Sequence, residues 1–247
     1  MRAAILSYCT ASYLLFAAAF VYLPLFIGGE AIPFLHVPKT LGWGPSGAPG
    51  APAALMNLAL LALFGIQHSI MARPAFKRAL TRVIPEAAER STYVLATVIC
   101  LLLLYVYWIP MPGVVWSVSS PLWAGALTAL FFAGPAIVLV SSFLIDHFEL
   151  FGIRQGWASF QGKPMPAQEF RTPALYRLVR HPIYFGLLLT FWMTPLMSVG
   201  HLLLAVVWTA YTLIGVGYEE RDLSRAFGEK YRAYADTTPM ILPFGRR

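Results

Sequence analysis

Six apolar stretches alternate along this chain with segments that are polar or rich in proline and glycine. They cover residues 5–27, 53–71, 93–109, 122–145, 183–199 and 202–218. Several of them approach or exceed the roughly 20 apolar residues that a helix needs to cross a bilayer. The pattern therefore predicts an all-α, integral membrane helical bundle with five to six transmembrane helices.

The last two stretches are shorter than most of the others, and only Gly200 and His201 separate them. So short a connection predicts a tight C-terminal helical hairpin, which returns the chain to the side of the membrane from which it entered. The length of the two stretches leaves open whether the hairpin forms one or two full membrane spans.

The segment after the hairpin has apolar and aromatic residues at helical spacing, with cations between them. These residues are Leu223, Phe227, Tyr231 and Tyr234. The pattern is typical of an amphipathic helix that lies on the inner membrane surface. Pro239 and Pro243 are expected to end that helix, because proline cannot continue it.

The first stretch has two interpretations, a signal peptide or a retained membrane helix. Arg2 and the small residues Ala17, Ala18 and Ala19 favour a signal peptide. The apolar run, however, is longer than the roughly 7–15 residues of a signal-peptide core. We therefore expect a retained first helix.

Composition supports the membrane assignment. Of the 247 residues, 58% are hydrophobic and 12% are charged, and the mean hydropathy is +0.66. Soluble domains contain about 25% charged residues, so lipid is the natural solvent for this much apolar surface. The length predicts a single domain over residues 1–247.

The positive charge is unevenly placed. The net charge is +7, and the basic residues concentrate in residues 72–92, in residues 146–181 and in the C-terminal tail. Basic loops stay on the cytoplasmic side of a membrane, so we expect both termini and the active site to face the cytoplasm, in what is expected to be a bacterial inner membrane. Nucleic-acid binding is not expected, because no basic module of the usual kinds is present.

Two polar clusters flank the C-terminal hairpin. The segment before the hairpin ends in residues 176–186, which include Arg180, His181 and Pro182. The segment after the hairpin begins at Tyr218, which Glu219 and Glu220 follow. The hairpin predicts that the two clusters are neighbours. Pro182 suits the first position of a helix, whose N-terminus favours an anion such as a carboxylate. The paired carboxylates suit ribose hydroxyls, an ammonium or a sulfonium, although charged anchors at a membrane surface have the same pattern.

The two clusters resemble those of a superfamily of membrane methyltransferases. Arg-His-Pro-x-Tyr-x-Gly over residues 180–186, then Glu-Glu-x-x-Leu-x-x-x-Phe-Gly-x-x-Tyr-x-x-Tyr over residues 219–234, is similar to isoprenylcysteine carboxyl methyltransferases, phospholipid methyltransferases and NnrU-like proteins. Membrane sterol reductases carry a similar His-Pro-x-Tyr-x-Gly stretch. The resemblance implies S-adenosylmethionine as the cofactor, bound by the part of the chain from residue 143 to residue 244. The cofactor-binding residues that it implies are Tyr176, Arg180, His181, Tyr184, Gly186, Glu219 and Glu220.

Residues 143–155 narrow the resemblance to one family. Their sequence, Phe-Leu-Ile-Asp-His-Phe-Glu-Leu-Phe-Gly-Ile-Arg-Gln, is similar to the signature of bacterial methanethiol S-methyltransferases, with Ile153 as a mild departure. Gln67, His68 and Ser69 resemble the same family. The resemblance implies methylation of a small thiol, which converts methanethiol to dimethyl sulfide or hydrogen sulfide to methanethiol.

Candidate catalytic residues lie in these same segments. His147 and His68 are candidates to accept the thiol proton, with Asp146 orienting a neighbour, and the sequence does not rank the two histidines. His68 equally suits a packed, hydrogen-bonded histidine. The candidate substrate-binding residues are Glu149, Arg154 and Gln155. No metal is expected, because no ligand set has a clear spacing.

Other functions remain open at this point. Among enzymes, the alternative is a membrane methyltransferase that acts on a lipid amine or a prenylcysteine carboxylate. In a different class, the alternative is a non-catalytic NnrU-like membrane protein. The expected partners are a small thiol and membrane lipids, and the sequence does not determine the oligomeric state.

Overall fold

The computed structural model describes residues 1–31, 37–44, 50–165 and 170–244. Helices make up most of the described chain. They are α1 (Arg2–Gly28), α2 (Ala51–Ala72), α3 (Pro74–Leu80), α4 (Glu86–Tyr107), α5 (Pro121–Ile145), α6 (His147–Leu150), α7 (Ile153–Gln161), α8 (Pro182–Trp192), α9 (Val199–Phe227) and α10 (Glu229–Thr237). Two short strands, β1 (Val114–Ser117) and β2 (Leu196–Ser198), and the 3-10 helices Gly29–Ala31 and Ala174–Arg177 complete the regular structure within these ranges.

Five of the described helices are long and apolar enough to cross a membrane. They are α1, α2, α4, α5 and α9, and the shortest have 22 residues. At 1.5 Å per residue, a helix of that length extends about 33 Å, which matches a hydrocarbon core of roughly 30 Å. The chain is an integral membrane protein built from helices, as the apolar pattern predicts.

The sixth apolar stretch forms only a short helix. The 11 residues of α8 extend about 16 Å, or half of a hydrocarbon core. The helix ends before Pro195, because proline disfavours helical geometry in the preceding residue and donates no hydrogen bond. The prediction that Gly200 and His201 separate the two helices is wrong: both lie in the first turn of α9, where Ser198 accepts a hydrogen bond of 3.2 Å from the main-chain N–H of His201.

The true connection between α8 and α9 contains β2, which pairs with β1. The pairing is antiparallel, with Val114 opposite Ser198 and Ser117 opposite Leu196. The indole nitrogen of Trp116 reinforces it by donating to the carbonyl oxygen of Thr194 at 3.1 Å. The connection that precedes α5 and the connection that precedes α9 therefore lie side by side.

The contacts divide the chain into two compact units, Met1–Pro112 with Asp146–Ala167, and Gly113–Ile145 with Gln168–Arg247. In the first unit, α4 packs against both α1 and α2, and α7 packs against α1 and α4. Large aromatic side chains fill its centre, where the hydroxyl of Tyr105 donates to the carbonyl oxygen of Ala19 at 2.9 Å.

In the second unit, the principal packing is that of α5 against α8. Two glycines bring these helices together. A Cβ placed on Gly186 would lie 2.6 Å from the carbonyl oxygen of Gly134, and a Cβ on Gly134 would lie 2.5 Å from the carbonyl oxygen of Gly186. Small residues at such contacts let two membrane helices approach closely, which increases their van der Waals contact.

The predicted amphipathic helix after the hairpin is divided between two helices. Leu223 and Phe227 lie in α9, and Tyr231 and Tyr234 lie in α10. The break is at Gly228, whose φ of +55° with ψ of −128° is a conformation that side-chain-bearing residues rarely adopt. Tyr231 is only 1% exposed, so this part of the periodic face packs against protein.

We expect Gly186→Ala to lower the stability of the protein, because the added methyl group must separate α8 from α5. Forcing one extra carbon into a packed contact typically costs about 1–3 kcal/mol. Thermal unfolding of the detergent-solubilised protein measures the effect. Gly125→Ala is the matched control, because Gly125 also lies in α5 and its added Cβ meets no atom within 4 Å. Equal melting temperatures for the two variants would contradict the proposed helix contact.

Candidate active site

The loop before α8 is held by the segment that follows α10. It begins as the 3-10 helix Ala174–Arg177, and Pro182 then starts α8. The main-chain N–H of Arg180 donates to the carbonyl oxygen of Pro239 at 2.9 Å, and that of His181 donates to Met240 at 3.0 Å. These two hydrogen bonds fix the backbone of the loop. The segment after α10 therefore determines where the side chains of Arg180 and His181 point.

Both of these side chains converge on Glu220, which lies on α9. Nε2 of His181 is 2.6 Å from Oε1 of Glu220, and Nε of Arg180 is 3.1 Å from the same oxygen. The hydroxyl of Tyr231 donates to that oxygen at 2.6 Å. The prediction that the hairpin makes the two polar clusters neighbours is confirmed by these distances.

Glu219 is the more accessible carboxylate of the pair. Its side chain is 44% exposed, and its Oε2 lies 3.6 Å from Nδ1 of His181. His181 is only 4% exposed, and its two ring nitrogens face the carboxylates of Glu219 and Glu220. The ring of Tyr184 is 5.6 Å from the His181 ring. The cluster thus combines carboxylate oxygens that can accept hydrogen bonds with an aromatic ring.

Two predicted cofactor-binding residues have supporting roles in the structure. Tyr176 is buried, its hydroxyl donates to the carbonyl oxygen of Ser141 at 3.4 Å, and its own carbonyl oxygen accepts from the hydroxyl of Tyr234. Burial raises the pKa of Tyr176, and Glu219 raises it further. Gly186 packs against α5, as described above. Direct cofactor binding by Tyr176 and Gly186 stays a prediction.

In the first unit, four of the five predicted polar residues of the Asp146–Gln155 segment are connected by hydrogen bonds and ion pairs. Asp146 begins α6, and its Oδ1 accepts a hydrogen bond of 2.9 Å from the main-chain N–H of Glu149. Arg154 forms an ion pair with Asp146 and lies 3.5 Å from Oε2 of Glu149. Nε2 of Gln155 donates to the carbonyl oxygen of Glu149 at 3.0 Å. These contacts stabilise the turn from α6 into α7, and substrate binding by these residues stays a prediction.

His147 occupies an aromatic environment beside this turn. It is 4% exposed, and its Nε2 lies 2.9 Å from the hydroxyl of Tyr13 on α1. The rings of Phe148 and Phe151 lie 5.5 Å and 4.8 Å from the imidazole. Burial lowers the pKa of His147, because an apolar environment disfavours the charged form. A neutral imidazole can accept a proton, so this histidine remains a chemically suitable base.

His68 lies inside α2 with both ring nitrogens near hydroxyl groups. Its Nε2 is 2.6 Å from the hydroxyl of Tyr93, and its Nδ1 is 3.4 Å from Oγ1 of Thr97. Phe64 stacks on the ring at 5.4 Å. This environment is typical of a packed, hydrogen-bonded histidine, and a catalytic role for His68 stays a prediction.

Sequence reasoning missed the partners of these groups, Tyr13 and Tyr231. Tyr13 lies 134 positions before His147, and no local pattern connects the two. The one available signal for Tyr231 is the Phe227-Gly228 pair, because a glycine there permits a helix break. No group of three or more His, Cys, Asp or Glu side chains suited to a metal occurs among the residues that the structure describes.

Comparison with known proteins finds a matching family and relatives that cover nearly the whole chain. The family described as "Protein of unknown function (DUF1295)" matches residues 75–238. The chain is 47% identical to a methanethiol S-methyltransferase of Mycobacterium tuberculosis, over 97% of this chain and 96% of the relative. It is 46% identical to methanethiol S-methyltransferase 2 of Bradyrhizobium diazoefficiens, over 100% of this chain and 93% of the relative. Nurim of Sus scrofa is 32% identical over 79% of this chain and 83% of its own length. No solved structure matches the chain.

Proposed function

The chain belongs to the DUF1295 family and to the family of the methanethiol S-methyltransferases, and we propose that it transfers a methyl group from S-adenosylmethionine to methanethiol. The products are dimethyl sulfide and S-adenosylhomocysteine. The observation that carries this proposal is the similarity to thiol methyltransferases over nearly the whole length of the chain. Hydrogen sulfide, the smaller thiol, is proposed as a second substrate.

The cluster around Glu220 has the groups that S-adenosylmethionine requires. That molecule carries an ammonium, a sulfonium and ribose hydroxyls, all of which carboxylate oxygens can bind. Glu219 is partly exposed, and the contacts of Glu220 with the residues that the structure describes all use Oε1, which leaves Oε2 to accept from a ligand. The N-terminus of α8 at Pro182 favours the carboxylate of the ligand through the helix dipole. When bound, S-adenosylmethionine supplies an electrophilic methyl group.

The charges of the reaction suit a membrane enzyme. A thiolate and a sulfonium have opposite charges, and methyl transfer between their sulfur atoms leaves two neutral sulfur centres. Charge is lost on the way to the transition state, so exclusion of water favours the reaction. The thiolate is the nucleophile, and a residue must therefore take the thiol proton. We propose His147 for this role, because its buried imidazole is held in the neutral form near pH 7.

The proposed location of the site is the cytoplasmic face of a bacterial inner membrane. Basic residues are concentrated in the segments that contain both the Asp146–Gln155 turn and the Arg180 cluster. The two connections joined by the β1–β2 pair contain no Lys or Arg between Pro110 and Pro121 or between Met193 and Ser198. This contrast is typical of cytoplasmic and outer loops.

Cysteine labelling is expected to separate the two faces. Cys9 and Cys100 are buried, so they give little background. Gln161→Cys, at the exposed end of α7, should react with a membrane-impermeant maleimide only after the cells are permeabilised. Val115→Cys, in β1, should react in intact cells. The reverse pattern would contradict the proposed orientation.

We expect the purified protein in detergent to form dimethyl sulfide from methanethiol and S-adenosylmethionine. Headspace gas chromatography measures the product, and reactions without S-adenosylmethionine provide the blank. Phosphatidylethanolamine and a farnesylcysteine analogue, assayed in parallel with radiolabelled methyl donor, should remain unmethylated. Methylation of either lipid acceptor in the absence of dimethyl sulfide would replace the thiol with that acceptor. Failure with every acceptor would favour a non-catalytic membrane protein.

His147→Gln should lower kcat by about a hundredfold or more, which is the usual contribution of a general base. The glutamine can still hydrogen-bond Tyr13, and the affinity for S-adenosylmethionine should stay within about twofold, because the proton is moved mainly in the transition state. Burial lowers the pKa of His147, so the activity of the wild type should fall only when the pH is below about 6.5, the ordinary pKa of histidine. If kcat is unchanged in His147→Gln and reduced in His68→Gln, His68 is the base.

A further inference from the structure

Tyr231 reaches Glu220 only because the chain reverses at Gly228. In one continuous helix, residues that are 11 positions apart lie about 16 Å apart along the axis. The observed hydrogen bond of 2.6 Å between the Tyr231 hydroxyl and Oε1 of Glu220 requires α10 to fold back beside α9. Gly228 provides that reversal with its φ of +55°. The helix break and the hydrogen bond are therefore parts of one arrangement.

The hydrogen bond adds a third contact to a single carboxylate oxygen, beside the hydrogen bond with His181 and the ion pair with Arg180. Nε2 of His181, Nε of Arg180 and the hydroxyl of Tyr231 all lie within 3.1 Å of Oε1. They come from two separate parts of the chain, the loop before α8 and α10, and together they fix the rotation of the Glu220 carboxylate. With Oε1 occupied, Oε2 is the oxygen that remains for a ligand.

The surroundings of Tyr231 hold its hydroxyl in place as a donor. The side chain is 1% exposed, and its ring packs against Phe170 and Tyr234 at 5.9 Å each. Burial raises the pKa of Tyr231, and the hydrogen bond to Glu220 raises it further. The hydroxyl consequently keeps its proton throughout the physiological pH range and donates to the carboxylate.

We propose that Tyr231 is a positioning residue for the methyl-donor site. It holds Oε1 of Glu220 so that Oε2 is directed to the ammonium or the ribose hydroxyls of S-adenosylmethionine. Tyr231 does not contact the donor in this arrangement and acts only through Glu220. The inference rests on the proposed function, because it assumes that this cluster binds the donor.

Tyr231→Phe removes the hydroxyl and retains the ring. Calorimetry on the full-length protein in detergent should show the Kd for S-adenosylmethionine raised by about tenfold, a typical effect of losing one hydrogen bond to a charged group. The KM for methanethiol and kcat at saturating S-adenosylmethionine should stay within about twofold, since the thiol and the transferred methyl group are not contacted. Tyr107→Phe is the matched control, because Tyr107 is an exposed tyrosine at the end of α4. It should leave all three constants unchanged.

A double-mutant cycle with Glu220→Gln tests whether Tyr231 acts through Glu220. Adding Tyr231→Phe to Glu220→Gln should weaken binding of S-adenosylmethionine by less than about twofold, since coupled residues are non-additive. If the effects of Tyr231→Phe and Glu220→Gln on the Kd are fully additive, Tyr231 does not act through Glu220. If Tyr231→Phe lowers both kcat and the melting temperature, its role is merely structural. Wild-type affinity in Tyr231→Phe would overturn this inference alone. A wild-type protein that does not bind S-adenosylmethionine would overturn the proposed function and this inference together.

Discussion

One carboxylate oxygen, Oε1 of Glu220, determines how the C-terminal part of the chain is arranged. A carboxylate at the end of a membrane helix is costly unless positive or hydrogen-donating groups surround it. Arg180, His181 and Tyr231 provide those groups from a loop, a helix start and a separate helix. Because each donor must reach the same oxygen, the loop before α8, the end of α9 and all of α10 are held in one geometry.

Main-chain hydrogen bonds hold the loop before α8 in the position from which Arg180 and His181 reach Glu220. Hydrogen bonds from Arg180 and His181 to Pro239 and Met240 join segments that are nearly 60 residues apart, and Arg180 also donates to the carbonyl oxygen of Ala235 at 2.8 Å. The loop therefore has partners for the main-chain N–H groups of Arg180 and His181, which lie between its 3-10 helix and the start of α8. A loop satisfied in this way can present charged side chains at a fixed position, which a mobile loop cannot do.

The sequence predicted most of this architecture, and its failures have identifiable physical causes. Apolar length predicted five to six spans, because a helix needs about 20 apolar residues to cross a bilayer, and the hairpin predicted the meeting of His181 and Glu220. The hairpin boundary was misplaced because Pro195 and the β1–β2 pair end α8 early, which a hydropathy pattern does not show. The sequence pattern predicts Tyr231 on a surface helix, because the apolar residues keep helical spacing on both sides of Gly228 and the pattern does not show the break there.

The two units meet different electrostatic demands. The methyl-donor binding that we propose requires carboxylate oxygens that accept hydrogen bonds, and in the second unit Glu219 is partly exposed and Glu220 is paired with Arg180. The proton removal that we propose requires a neutral base. In the first unit, His147 is buried beside the rings of Tyr13, Phe148 and Phe151, which give it an apolar environment. His181 lies between Glu219 and Glu220, and both of its ring nitrogens are next to carboxylate oxygens. His147 has aromatic neighbours and the Tyr13 hydroxyl instead, and for that reason we propose His147 as the base.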